Sequence, residues 1–273
     1  MTGAAREVAD YFAPDTDAHR LTRNALLCNA LIYGHLLTAA AGLVPAWTLA
    51  ITVPVLVPRW MIAVHELFHL RSEREVDPAT RLQLLLFTLL SIGYRENLVN
   101  HRSHHRYMST PRDAEYYQLR GSRWRGFANA MTAPEQLWFR WVAEHGLDRR
   151  LAAETVVRAA LFIGLAVVSG PVFLWYLIPA RLSFGVSYFV FFYWLHRKGD
   201  EMGVYPLQLP ASLTTLLTFI YGADVVEATL HHDVHHAQPR IAARHLASSR
   251  RIVAPRPVSA GATAVAAHMT KGR

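Results

Sequence analysis

Four apolar stretches divide this chain of 273 residues, and each approaches the roughly 20 residues that a helix needs to cross a bilayer. The first two extend over about 26–43 and 47–64, with only a Gly-Leu-Val-Pro-Ala turn between them. The other two extend over about 155–177 and 182–195 and join across Ile178-Pro179-Ala180-Arg181. The pattern predicts an all-α integral membrane protein with four transmembrane helices in two hairpins.

Composition agrees with a membrane enzyme whose active site faces water. Hydrophobic residues make up 52% of the chain, yet 18% of its residues are charged, so apolar and polar blocks must alternate. The formal charge of +8 favours anionic lipid headgroups and acidic proteins as partners. Nucleic acid is not expected, because the basic residues lie beside apolar segments. The single cysteine, Cys28, leaves only His, Asp and Glu to hold a metal.

Basic residues predict the orientation. Arginine and lysine collect at the outer ends of both hairpins, whereas the tight turns contain only Arg181, so both hairpins should open toward the cytoplasm. The first 20 residues lack the apolar core of a signal peptide, which predicts a cytoplasmic N-terminus. We expect residues 1–22 to form a cytoplasmic segment, 23–246 the membrane domain and 247–273 a disordered tail. The C-terminus should be cytoplasmic as well.

Between the predicted spans, Leu82–Tyr94 and Leu207–Tyr221 are apolar but short for spanning. They are typical of interfacial or re-entrant helices. The long polar stretch over 100–150 should form a cytoplasmic cap above the hairpins.

Three histidine clusters follow apolar segments at the predicted cytoplasmic side. They are His65 and His69 in HELFH; His101, His104 and His105 in HRSHH; and His232, His235 and His236 in HDVHH. Residues spaced i, i+3 and i+4 share one helix face, so each cluster can direct its imidazoles at one point. Imidazole suits iron, zinc and copper. Eight convergent nitrogens exceed what one tetrahedral zinc can use, and they suit two metals.

The HxxxH, HxxHH and HxxHH boxes on two cytoplasm-opening hairpins resemble the membrane fatty-acid desaturases. Their relatives include alkane and xylene hydroxylases and beta-carotene ketolases. The resemblance covers about 26–246 and implies a di-iron centre under a cytoplasmic cap, with the eight box histidines as iron ligands. It also assigns His196, near the cytoplasmic end of the fourth helix, as a further ligand. His231 flanks the third box out of phase, and its role stays open.

Metal-bound histidines usually donate their second nitrogen to a carboxylate or carbonyl. Five acidic residues lie near enough in sequence to be considered for this role: Glu66, Asp113, Asp224, Glu227 and Asp233.

The resemblance implies an O₂-dependent fatty-acid desaturase, acting on an acyl thioester or an acyl lipid. A hydroxylase or ketolase of a lipid or carotenoid is an alternative, as is oxidation in a specialised biosynthetic pathway. A histidine-rich metal transporter or sensor is the alternative outside this class, although its ligands should lie near the bilayer midplane.

The sequence contains no haem-carrier HPGG segment, no G-x-G-x-x-G fingerprint and no cysteine cluster. We therefore expect an external electron donor such as ferredoxin. Ferredoxins and acyl carrier proteins are commonly acidic and would suit a basic cap. The expected location is a bacterial inner membrane with the active site on the cytoplasmic side.

Overall fold

The computed structural model describes residues 8–253, which are mostly helical with almost no sheet. This confirms the all-α expectation. The helices are α1 (Asp15–Ala40), α2 (Leu49–Leu70), α3 (Pro78–Leu82), α4 (Tyr94–Tyr107), α5 (Tyr116–Leu119), α6 (Arg123–Met131), α7 (Ala133–His145), α8 (Arg149–Ser169), α9 (Phe173–Phe189), α10 (Ala211–Tyr221), α11 (Ala223–Leu230), α12 (His232–Ala237) and α13 (Leu246–Ser249). A π-helical turn, Val190–Trp194, extends α9. Strands β1 (Arg197–Lys198) and β2 (Glu201–Met202) form a small antiparallel hairpin.

Helices α1 and α2 form the first hairpin, as predicted. Gly42 allows the reversal because it adopts a φ of 73°, which suits glycine. The Leu43 N–H closes the helix end by donating to the Thr38 carbonyl over 3.0 Å. Buried residues such as Ile32 and Val57 fill the core of this helix pair.

The turn of the second hairpin lies at Gly170, and the predicted turn at Ile178–Arg181 is wrong. Helix α9 continues through Pro179, whereas Gly170 breaks the helical path with a φ of 54°. A glycine takes this backbone conformation at little cost, while a proline inside a helix removes one hydrogen bond without having to end it. Pro171 then starts the next turn, where its missing N–H is harmless.

Within residues 8–253, two helical stretches are long and apolar enough to cross a membrane. They are Ala46–Leu70 and the 46-residue stretch Arg149–Trp194. The second is about twice the length of one span and is interrupted at Gly170. The four-span topology stays a prediction.

The segment 83–93 is not helical, so the helix predicted over Leu82–Tyr94 is wrong. Helix α3 ends at Leu82, and the residue after it, Gln83, has a left-handed φ of 56°. A largely buried, irregular segment follows. Two tyrosines satisfy its backbone. The Tyr33 hydroxyl donates to the Leu84 carbonyl and accepts from the Leu86 N–H at 2.8 Å. The Tyr176 hydroxyl donates to the Leu86 carbonyl at 2.9 Å.

Arg158 of α8 completes this support. Its side chain is 1% exposed and donates to the Leu82 carbonyl at 3.1 Å and to the Ser91 carbonyl at 2.6 Å. Glu154 balances its charge at 3.5 Å. Irregular backbone beside membrane-type helices is tolerated when protein groups satisfy it in this way.

Helices α4–α7 form the predicted cap stretch, and α6 packs tightly on the end of α9. A Cβ on Gly126 would lie 2.3 Å from the Tyr193 ring, and one on Gly185 would lie 2.1 Å from the Met131 sulfur. A side chain at Gly126 would collide with the Tyr193 ring, and one at Gly185 would require the Met131 side chain to move. Helix α10 confirms a short helix within Leu207–Tyr221.

Residues 247–253 are structured, so the predicted start of the disordered tail is wrong. Ser249 is fully buried, and the Arg250 guanidinium pairs with Asp233 at 2.7 Å. This ion pair fastens α13 to α12. The rest of the predicted tail, 254–273, lies outside the described residues, as do residues 1–7 of the predicted N-terminal segment.

Tyr33→Phe should destabilise the fold by about 1–3 kcal/mol, because it leaves a buried carbonyl and a buried N–H of the 83–93 segment unpaired. Thermal unfolding in detergent measures the change. Tyr116→Phe, which alters a half-buried tyrosine of the cap, should unfold near the wild-type temperature. Equal melting temperatures for all three proteins would contradict the role assigned to Tyr33.

Candidate metal centre

The predicted ligands come from four places in the chain and meet at one end of the helices. His65 and His69 lie on the last turns of α2. The second box lies on the C-terminal half of α4 and the third on α12. His196 follows the π-helical turn of α9. The structure thus brings all nine predicted residues to the same region.

Five of these histidines form one group that could hold a metal ion. Each offers a ring nitrogen, and these nitrogens all lie within 4.8 Å of one another. The group consists of His65, His69, His101, His105 and His235. Within the group, the Nε2 atoms of His69 and His101 lie 2.8 Å apart.

His104, His196 and His236 form a second group of the same kind. The Nε2 atom of His196 lies 3.2 Å from that of His104 and 3.1 Å from that of His236. His232 belongs to neither group but borders the second, with ring-centroid distances of 5.0 Å to His196 and 4.6 Å to His236. The ligand roles of all nine residues stay predictions.

Hydrogen bonds at Nδ1 fix the orientation of two rings in the second group. His104 Nδ1 donates to the Asp113 carboxylate at 2.8 Å. His196 Nδ1 donates to the Phe191 carbonyl at 2.6 Å. Because a carbonyl can only accept, the proton of His196 belongs on Nδ1 and the Nε2 lone pair faces the group.

Glu66 orients the first group in the same way. Its carboxylate accepts from His65 Nδ1 at 3.0 Å and lies 3.7 Å from His235 Nδ1. Of the five acidic residues proposed from the sequence, only Glu66 and Asp113 reach the candidate ligands. The others pair elsewhere: Asp224 with Arg20, Asp233 with Arg250, and Glu227 with His231. His231 also contacts Arg250 at 3.1 Å and joins neither group.

The donor set fits two cations. Burial, together with the neighbouring imidazoles, lowers the pKa of His101, His235 and His236 well below the ordinary value, so these rings are neutral and offer lone pairs. Among the described residues, neither ring nitrogen of His235 has a hydrogen-bond partner. Buried imidazole nitrogens without partners are costly unless an ion binds them.

Glu115 is a site residue that sequence reasoning missed. Burial raises the pKa of its carboxyl to about 8. One oxygen accepts from the Tyr188 hydroxyl at 3.0 Å, and the other lies 4.0 Å from His104 Nδ1. No sequence signal marked Glu115, because it lies in a polar stretch where a carboxylate is ordinarily solvated.

An apolar cavity of about 120 Å³ lies against the first group. His65 and His101 form its metal-side wall. The other polar residues of its lining are Gln83, Ser91, Asn97, Glu115 and Tyr188. Other walls come from Phe68, Leu85, Phe87, Leu137, Phe184, Phe191 and Phe192. A substrate segment in this cavity would be largely shielded from water and would touch candidate ligands directly.

A helical fold with two groups of converging histidines beside an apolar cavity defines a protein with a candidate two-metal centre. The sequence profile named Fatty acid desaturase matches residues 39–265, and the chain belongs to this family. The resemblance stated from the histidine boxes is thereby confirmed. Family membership makes the chain an oxidoreductase of a membrane-associated, typically di-iron class. No curated protein and no solved structure matches the chain.

Asp113→Asn should weaken metal binding about 10- to 100-fold, because His104 loses the charged acceptor that orients it. Iron per chain, measured by plasma mass spectrometry after dialysis against a graded chelator, tests this. Asp224→Asn is the matched control, since Asp224 was also considered from the sequence but pairs with Arg20 and contacts no candidate ligand. If both variants retained iron equally well, Asp113 would have no part in the site.

Proposed function

We propose that the protein is an O₂-dependent di-iron desaturase that introduces a C=C bond into an acyl chain, using electrons from an external carrier. The observation that carries the proposal is the contact between the first histidine group and an apolar cavity. His65 and His101 belong to this histidine group and also line the cavity, so an acyl chain in the cavity would pass beside the candidate metal ligands.

Bound iron would supply O₂ activation and the oxidising power needed to remove hydrogen from an unactivated carbon. The residues of the protein perform the other tasks. Phe184, Phe191 and Phe192 exclude water and hold the acyl chain by apolar contact. Asp113 and the Phe191 carbonyl keep the rings of His104 and His196 in place.

The reaction is tested by expressing the protein in a bacterial host together with a ferredoxin and its reductase. Mass spectrometry of the lipids should show a product lacking two hydrogens. A product that gains one oxygen would instead establish a hydroxylase. His104→Ala should abolish the product, because His104 is a predicted ligand held by Asp113. His19→Ala, which changes an exposed histidine on α1, should leave it unchanged.

Purified wild-type protein should contain close to two irons per chain. One zinc per chain, or no product under O₂ with reductant present, would contradict the di-iron proposal and favour a transporter or sensor.

The electron donor is proposed to dock on the exposed basic surface of α4 and the loop after it. Arg102, Arg106 and Arg112 are exposed there, and α4 also carries His104 and His105 of the metal centre. The guanidinium carbons of Arg106 and Arg112 lie 5.2 Å and 5.9 Å from the ring centroid of Tyr107, the last residue of this helix. Opposite charge on an acidic ferredoxin would speed its association here. The same charges support a cytoplasmic orientation in a bacterial inner membrane.

Arg106→Glu combined with Arg112→Glu should raise the KM for ferredoxin about tenfold or more, because two attractive charges become repulsive. Steady-state turnover at increasing ionic strength measures this, and the difference from wild type should shrink as salt screens the charges. Product formation driven by dithionite should be unaffected. An unchanged KM would place the docking surface elsewhere.

A further inference from the structure

We propose that the substrate is an acyl chain of an anionic phospholipid, which is held in a lateral groove and reaches the metal centre past Phe191. The proposal rests on the proposed function and names its substrate class. It favours an acyl lipid over an acyl thioester.

The cavity beside the metal centre is too small to hold a whole substrate. At about 120 Å³ the cavity is far below the roughly 300–1,000 Å³ of pockets that hold a whole small ligand. It admits only the reacting segment of a long acyl chain. The remainder of the substrate needs a neighbouring apolar site.

Such a site lies on the other side of Phe191. A groove of about 850 Å³ lies between α2, α9 and the α10–α11 pair, and Phe191 belongs to its wall and to the wall of the cavity. Along α9 the groove extends from Leu174 to Phe191, about 26 Å at 1.5 Å per residue. Trp175 and Val186 in its wall are 47% and 49% exposed. The groove therefore opens sideways, where a membrane-embedded chain meets lipid.

A pocket of about 350 Å³ adjoins the groove, and Tyr221 and Val225 line both. Its lining is mixed, with the charged residues Arg20, Arg59 and Asp224 among apolar ones. Arg59 lies in this pocket with its Nε atom buried and without a hydrogen bond to any described residue. Its Nη2 atom donates to the Ile220 carbonyl at 2.7 Å. No carboxylate of the described residues pairs with Arg59, whereas Arg20 in the same pocket pairs with Asp224.

An unbalanced guanidinium beside apolar helices is costly, and a phosphate would supply both the counter-charge and the missing acceptor. The amide of Asn24 lines the same pocket and can add a hydrogen bond. Arg59 precedes His65 by six residues, so this phosphate would lie about 9 Å along α2 from the metal ligands. Groove, pocket and cavity together fit one phospholipid.

Binding is tested with phosphatidylglycerol carrying brominated acyl chains, titrated into the detergent-solubilised protein. Bromine quenches tryptophan on contact, and Trp175→Phe identifies the part of the signal that comes from the groove. We expect saturable quenching of Trp175. Arg59→Gln should weaken it about tenfold, the loss expected for one charge-assisted hydrogen bond. Arg59→Lys should weaken it less. A brominated fatty-acid methyl ester, which lacks phosphate, should bind weakly and without dependence on Arg59.

Matched controls separate a built site from general lipid contact. Arg23→Gln changes an exposed arginine of α1 and should bind as wild type. Val186→Trp fills the groove and should abolish quenching of Trp175, whereas Val168→Trp, at a position of α8 that is 69% exposed, should not. Equal quenching in every variant would overturn the proposal. A second result would also overturn it: Val186→Trp dissociates a dimer but leaves the quenching by lipid unchanged. The groove would then bind a second copy of the protein rather than a lipid.

An activity comparison distinguishes this proposal from the proposed function. Protein in phosphatidylglycerol nanodiscs should oxidise the acyl chains of the lipid. The Val186→Trp variant should form at least tenfold less of this product than the Val168→Trp variant. If the protein oxidised an acyl thioester and left the lipid unchanged, the proposal of a lipid substrate would be wrong and the proposed desaturase function would stand. Saturable, Arg59-dependent lipid binding without oxidation of either substrate would preserve the site and overturn the desaturase.

Discussion

Contacts of 2.8–3.2 Å between imidazole nitrogens are the constraint on which the rest of this structure depends. They join His69 to His101 and link His196 to both His104 and His236. Such a contact needs either a proton, shared as an N–H···N hydrogen bond, or a cation that both nitrogen lone pairs bind. Bulk water does not solvate four of these five rings, because His101, His104, His196 and His236 are buried. Two cations bound at these nitrogens would hold α2, α4, α12 and the end of α9 together.

The irregular segment 83–93 shows how the fold makes room for a cavity beside that centre. A helix there would fill the space with its own side chains and would need no outside partners for its backbone. The extended chain instead places Leu85 and Phe87 in the cavity wall, and its backbone groups then depend on Tyr33, Tyr176 and Arg158. Buried polar side chains on three different helices thus serve an apolar site indirectly, because they stabilise the backbone that shapes it.

Features governed by short-range geometry could be predicted from the sequence. Histidines spaced i, i+3 and i+4 share a helix face whatever surrounds them, and the first hairpin reverses at an evident glycine turn. Features that depend on distant partners could not. Arg158 meets the Ser91 carbonyl across 67 positions of chain, and Glu115 meets Tyr188 across 73. The turn predicted at Ile178–Arg181 was wrong because the neighbouring helices hold Pro179 inside α9, whereas Gly170 adopts the positive φ at which this helix pair reverses.

Phe191 lines the lipid-facing groove and also contacts the metal centre. Its ring separates groove from cavity, 6.1 Å from the His65 ring and 5.3 Å from the His232 ring, while its carbonyl holds His196. The π-helical turn around it explains why one residue does both, since Leu195 N–H reaches back to Val190 and leaves the Phe191 carbonyl to the imidazole. A backbone shift that opened the passage would release His196. A rotation of the Phe191 side chain would open the passage without moving the carbonyl. Substrate can therefore enter the cavity by this rotation while the metal centre stays intact.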